Sequence, residues 1–297
     1  MRDVFHIQYR GGDAEGHDIP ARHLAASLEG LDKIVVRFLW AIETQNSAVR
    51  SPSTETASLN LLAPTSGCVD ISLFAGVAQS LMPFIGSMQD SVRNKLSEHI
   101  ISYTMLRWGG RKVEADSHLS KALDIIEKQN ELIAEDRKHE RETQAEDRQR
   151  ERAHVEAVLR TQVETHKADA AKAARPVGVS CRNMIIASGD ASTEIDEATA
   201  DAVRAKEELV VSDVMEITVR VDGIELSSRT LKVFDPTDPG KRVRVHISDP
   251  AFDPLRPGDN AYETAVQKRG TIRLIGKATQ RSDGTLKSFY AIGAEAL

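Results

Sequence analysis

Asp13, Glu15, His17 and Asp18 stand within six residues, in "GGDAEGHDIP". Carboxylates and imidazole at that density bind divalent cations or move protons. The same residues also suit a solvated loop whose acids sit near the positive end of a following helix. Gly11, Gly12 and Gly16 match neither phosphate-loop spacing, no lysine follows, and three acids repel phosphate. Asp13, Glu15, His17 and Asp18 are therefore the weak catalytic candidates on which a metal-dependent enzyme would rest. A second grouping, His246 with Asp249, Asp253 and Asp259, reads mainly as turn chemistry beside proline and glycine. The chain carries no serine-nucleophile motif, phosphate loop or paired-histidine zinc motif. The expectation from motifs is a non-enzymatic protein with no cofactor and no metal centre.

Composition narrows the class. Charged residues are 28% and apolar residues 40%, as in an ordinary soluble protein, while aromatics are only 4%. The net charge of −6 gives no whole-chain attraction for nucleic acid or anionic lipid and leaves room for a local basic face. Two cysteines, Cys68 and Cys181, form no pair motif, which argues against a disulfide framework and fits a reducing cytosol. "MRDVFHIQYR" has charges and no long apolar run, so no signal peptide is expected, and the expected compartment is cytoplasmic.

The elements that must position these residues begin with "VFHIQYR", where Phe5, Ile7 and Tyr9 alternate with polar residues as in a strand. Asp18 and Pro20 then open a helix with Leu24, Leu28, Leu31, Val35, Phe38, Leu39 and Ile42 on one stripe. Ile71–Gln89 is nineteen residues without a charge, the length of a membrane span. Its glutamines, serines, glycines and Pro83 offset the roughly 2–4 kcal/mol its apolar side chains supply for insertion. Val69, Ile71 and Leu73 alternate with polar residues, and "PTSG" joins them to the extended run Ala57–Ala63, so a hairpin is expected. From Val77 the apolar residues recur every three or four positions through Leu106. That spacing predicts one long amphipathic helix, bent near Pro83, and no membrane span.

Between Lys112 and Ala174 there is no proline or glycine. Leu119, Leu123, Ile126 and Ile133 make one short apolar seam, and Val155, Leu159 and Val163 with Val158 make another. "AEDRKHERETQAEDRQRER" between them holds seven acids, six basic residues and no large apolar side chain. A helix polar on every side bridges domains or stands in solvent. The expectation is a charged, coiled-coil-like spacer over 111–175, with the seams joining copies of the chain.

The remaining sequence turns to strands. "DVMEITVRV" alternates, "DG" at Asp222–Gly223 is hairpin chemistry, "IELSSRTLKVF" returns, and Arg242–Ser248 is a third strand. A short helix over Asn260–Arg269 and two strands joined at Ser282–Gly284 complete the set; "STEIDEATADAVRAKEE" upstream reads as a helix capped by Ser192 or Thr193. Three strands, a helix and two strands resemble the oligonucleotide/oligosaccharide-binding (OB) fold. That resemblance implies ligand contact through the face of the second and third strands and the loops joining strands one to two and four to five. Lys277, Arg281, Lys287, Phe289 and Tyr290 are the binding candidates, cations beside aromatics suiting a single strand of nucleic acid. Thirteen basic and twelve acidic residues from Ser212 onward leave that domain nearly neutral.

The expected class is α+β: a small N-terminal sheet with two amphipathic helices (1–110), the charged helical spacer (111–175) and a mostly-β domain of OB-like strand order (176–297). The leading functional expectation is an oligomeric interaction or scaffold protein, with itself and a further macromolecule as partners. The alternatives are single-stranded nucleic-acid binding by the barrel and a metal-dependent enzyme at Asp13–Asp18.

Overall fold

The structure is a computed structural model and describes residues 4–16, 18–47, 52–62, 69–135, 144–188, 191–253 and 260–297. The chain divides into two compact units, one of residues 1–108 and 112–196, the other of 109–111 and 197–297.

The first unit is built on a five-stranded antiparallel sheet. Its strands are β1 (Phe5–Arg10), β2 (Ala57–Leu61), β3 (Asp70–Val77), β4 (Asn183–Ser188) and β5 (Ala191–Ile195), in the order β2-β3-β1-β4-β5. The first strand in sequence is central in space, with Phe5, Ile7 and Tyr9 fully buried on one face. Strand β4, within the span 176–297 assigned to the C-terminal domain, pairs with β1 instead, and β5 joins it to complete this sheet. Ser192 and Thr193, read as helix caps, lie in β5, and the next helix starts only at Glu197.

Helices α1 (Ala21–Thr44), α2 (Pro83–Ser87), α3 (Asp90–Trp108), α4 (Lys112–Glu135), α5 (Gln144–Thr165) and α6 (Lys167–Ala173) make the rest of the first unit. The expected single helix from Val77 is two helices after a strand that runs on to Val77 itself. Pro83 is the first helical residue, where its missing N–H costs nothing, and Met82 before it is non-helical. Asp18 does not cap α1; Pro20 occupies that position. Helix α3 is buried on nearly every side, and its polar side chains turn to backbone: Asn94 Oδ1 accepts from Ala75 N–H and Arg93 Nε donates to Ala75 O. No helix among the described residues is long and apolar enough to cross a membrane.

The free-standing spacer is not what the chain forms. Helices α4 and α5 lie antiparallel, with Arg148 on Glu131 (3.0 Å), Arg152 on Asp124 (2.8 Å) and Glu127, and Arg160 on Asp116 (3.0 Å). Leu119, Leu123 and Ile126 are buried against the unit's own helices, as are Val155, Leu159 and Val163, while Ile133 is half-buried. Partners on the same chain are present at a far higher effective concentration than a second copy, so the seams close internally. Of the charged run, Arg148 and Arg152 pair with acids of α4 and so form a ladder between the two helices. The hairpin turn expected at Pro64–Gly67 and the residues 136–143 lie outside the described residues.

The second unit is a closed five-stranded barrel. Strands β7 (Met215–Glu225), β8 (Thr230–Phe234), β9 (Arg242–Ile247), β10 (Thr271–Arg281) and β11 (Leu286–Ala296) pair in the cycle β7-β8-β9-β11-β10-β7. The β9–β11 pair is parallel and the other pairs are antiparallel. Helix α8 (Ala261–Gln267) follows β9, capped by Asn260, whose side chain accepts from Glu263 N–H. Strand β6 (Leu209–Val211) extends the sheet beside β10, and α7 (Glu197–Arg204) packs near it. Valines and leucines fill the interior with Phe252, Tyr262 and Phe289. At Gly276 a Cβ would meet Tyr290 O at 2.0 Å, so only glycine lets β10 bulge against β11 there. Asp222–Gly223 is not the hairpin turn but a bulge inside β7; the chain turns at Leu226–Arg229, where Arg229 N–H donates to Leu226 O. Ser282–Gly284 does turn the chain, with Gly284 at φ 82° and Thr285 N–H on Asp283 Oδ1.

Candidate nucleic-acid interface

Strict alternation builds the barrel's outer face. In "TLKVF" and "RVRVHI", Leu231, Val233, Val243 and Val245 point inward, so Lys232, Phe234, Arg242 and Arg244 must point out. Register then sets them in rows across three strands. Phe234 of β8 stands opposite Arg242 of β9, and Val233 opposite Val221 puts Arg220 of β7 on the ring's other side. The guanidinium carbons of Arg220 and Arg242 each lie 3.9 Å from the Phe234 ring centre. Both planes are held by cation–π attraction rather than left to swing. Arg242 also donates to Asp222 Oδ2 at 3.0 Å.

In the next row Lys232 faces Arg244 directly. Like charges opposite one another destabilise a sheet. Both side chains are exposed, and neither has an ion-pair partner among the described residues. Beyond them Thr230 pairs with His246, whose ring stacks on Tyr290 at 4.9 Å. Tyr290 donates to Asp201 Oδ2 of α7 at 2.5 Å, which bounds the basic face on that side. Burial pushes the His246 imidazole toward its neutral form. The face therefore presents fixed guanidinium planes and an unneutralised lysine–arginine pair, a set suited to phosphate oxygens.

The residues singled out from sequence lie elsewhere. Phe289 is fully buried in the barrel and Tyr290 is 5% exposed, so neither offers a ring face to a base. Arg281 and Lys287 both close on Glu207, at 3.0 and 2.6 Å, and hold its carboxyl below the usual range. Lys277 is half-buried in β10 opposite Tyr290. Asp13, Glu15 and Asp18 are exposed on and after a 3₁₀ turn (Gly12–Gly16), and Asp18 N–H donates to Asp13 O; His17 lies outside the described residues. Asp249 is a turn former, accepting from Ala251 N–H and from the Tyr262 hydroxyl; Asp259 lies outside the described residues. Among the described residues, the His, Cys, Asp and Glu side chains that converge as a metal would require are Glu98, His99 and His118, in the first unit. A signal for the basic face was present in sequence, cations at alternate residues of β9 and one outward lysine in β8, but the register that sets Lys232 against Arg244 was not.

The family model described as "Domain of unknown function (DUF7946)" matches residues 5–204, more than half of the chain, which therefore belongs to that family. The model described as "Family of unknown function (DUF7947)" matches residues 213–295, the span of the barrel. No curated protein and no solved structure matches the chain.

Proposed function

We propose that this member of the DUF7946 family binds single-stranded nucleic acid through the outer face of β7, β8 and β9. The observation that carries the reading is Lys232 opposite Arg244: a like-charge pair that costs the barrel stability and that phosphate would neutralise. The Arg220–Phe234–Arg242 row supports it, because guanidinium planes fixed on a ring can stack on bases and pair with phosphate at once. The strand cycle supports it too. A five-stranded barrel with its helix after the third strand is OB-like, and the face of the second and third strands is where such barrels take oligonucleotides. The reading is a binding function, without catalysis.

Fluorescence anisotropy of a labelled oligothymidylate with the full chain tests this. Neutralising about three phosphates gives a slope of log K against log salt near −2, at roughly −0.7 per phosphate for single strands. The double variant Lys232→Glu/Arg244→Glu loses that binding while its circular dichroism is unchanged. Absence of binding at low salt, or equal binding by the double variant, rules the reading out.

A further inference from the structure

We propose that Glu98, His99 and His118 hold a divalent transition-metal ion of the zinc class in the interior of the first unit. These residues lie on α3 and α4, not in the Asp13–Asp18 loop on which the metal-dependent alternative rests.

Three potential ligand atoms lie close together. His99 Nδ1 lies 3.1 Å from His118 Nδ1 and 3.0 Å from Glu98 Oε2, while His118 Nδ1 is 4.0 Å from Glu98 Oε1. Metal bonds of roughly 2.0–2.1 Å in a tetrahedron place ligand atoms about 3.3 Å apart; the two separations at His99 come close to that, and the His118–Glu98 separation of 4.0 Å is wider. Two imidazole nitrogens and a carboxylate oxygen are a ligand set zinc favours, leaving a fourth position for water.

A second observation points to the same ion. Glu98 is 1% exposed, and its Oε2 has no hydrogen-bond partner, although His99 Nδ1 is only 3.0 Å away. The nitrogen is near but not aligned, as when two lone pairs aim at a common third atom. The other carboxylate oxygen accepts from the Ser102 hydroxyl at 3.2 Å, which fixes the group. Buried polar atoms almost always find a partner, so an orphaned carboxylate oxygen beside the His99 imidazole, with His118 next to its other oxygen, calls for a cation.

The surroundings orient the ligands. With Nδ1 of His118 on the metal, its Nε2–H points to Thr193 Oγ1, 3.1 Å away on β5. A hydrogen bond behind the ligand of this kind fixes tautomer and ring direction at metal sites. Lys95 and Lys121 act on the cluster and oppose a cation, but both are exposed on the surface, where solvent and salt screen them. The side chains of His99 and His118 are 10% and 13% exposed, so ion and water enter on the imidazole side.

Untagged full-length chain, stripped with chelator and titrated with zinc by calorimetry and with cobalt(II) by visible absorption, is the test. The expected result is one ion per chain with the intense bands of four-coordinate cobalt. Glu98→Gln and His118→Gln abolish uptake. Thr193→Val keeps every ligand and weakens zinc binding roughly 10–100-fold. If the ligand variants do not fold, wild-type stoichiometry and Thr193→Val decide. A folded wild-type chain that takes up neither ion, or variants that bind as wild type does, overturns the proposal and leaves a hydrogen-bonded polar core in its place.

Discussion

Lys232 offers a test in which folding and function move in opposite directions. Its side chain faces Arg244 across β8 and β9 with no acid between them. Lys232→Glu converts a like-charge pair into an opposite-charge pair, a difference worth roughly 0.2–1 kcal/mol in a sheet. The expected outcome is a barrel slightly more stable to urea and a chain that binds oligothymidylate more weakly. A merely structural lysine would lose neither affinity nor salt dependence on this change. Glu29 makes a second residue-scale case. Hydrogen bonds from Lys172 (2.7 Å) and Lys33 (2.6 Å) hold its carboxyl down to about 2, against an ordinary value of 4.5. The unfolded chain therefore takes up a proton first as pH falls. Whatever Glu29 contributes is complete above pH 4.5 and disappears as pH drops through about 2. Urea midpoints of wild type and Glu29→Gln should differ at pH 6 and converge near pH 2; a constant gap across that range would show the lysine clamp to be irrelevant.

At the scale of elements, Gly30 decides how closely α1 and α6 approach. A Cβ there would stand 2.4 Å from Asp169 O and 2.6 Å from Ala173 N, both backbone atoms that cannot rotate away. Alanine gains roughly 0.8–1.0 kcal/mol of helix propensity over glycine. Forcing two packed backbones apart costs about 1–3 kcal/mol, so the clash wins. Gly30→Ala should lower the melting temperature of the first unit by a few degrees, at roughly 2–4 °C per kcal/mol; a rise would mean that propensity dominates and the helices have room. Elements were legible in sequence where one face is wet and one dry, as in β1, β8 and β9. They were illegible where that contrast fails. Helix α3 buries polar and apolar residues alike, so the stripe of Leu96, Ile100 and Tyr103 gives no sign that Glu98 and His99 beside it are buried too. The two apolar seams were legible as seams, and most of their residues are buried within the chain; periodicity says nothing of what they pack against. Strand β5 was lost because five residues between a turn and a helix carry too little pattern to separate from a cap. Both candidate sites need pairings between distant segments, Lys232 with Arg244 and Glu98 with His118, and only register and helix packing supply those.

For the whole molecule, the two readings assign separate ligands to separate sets of elements, and hydrogen exchange on the intact chain can tell them apart. A ligand that binds only the folded state raises the free energy of every opening that breaks its site, by about 2.7 kcal/mol at a hundredfold excess over Kd. Amides whose exchange requires that opening should slow about a hundredfold. Zinc acts where its ligands lie, so protection should rise in α3 and α4 around Glu98, His99 and His118, and in β5 at Thr193, whose hydroxyl meets the His118 ring. Oligothymidylate acts on the barrel, so protection should rise in β7, β8 and β9 around Arg220, Lys232 and Arg244. Each ligand should leave the other set unchanged when added alone. Zinc protection confined to the acidic turn at Asp13–Asp18 would move the metal to the loop first suggested by sequence. Oligonucleotide protection confined to β10 and β11 would restore Lys277 and its neighbours as the contact surface, against the burial of Phe289 and Tyr290.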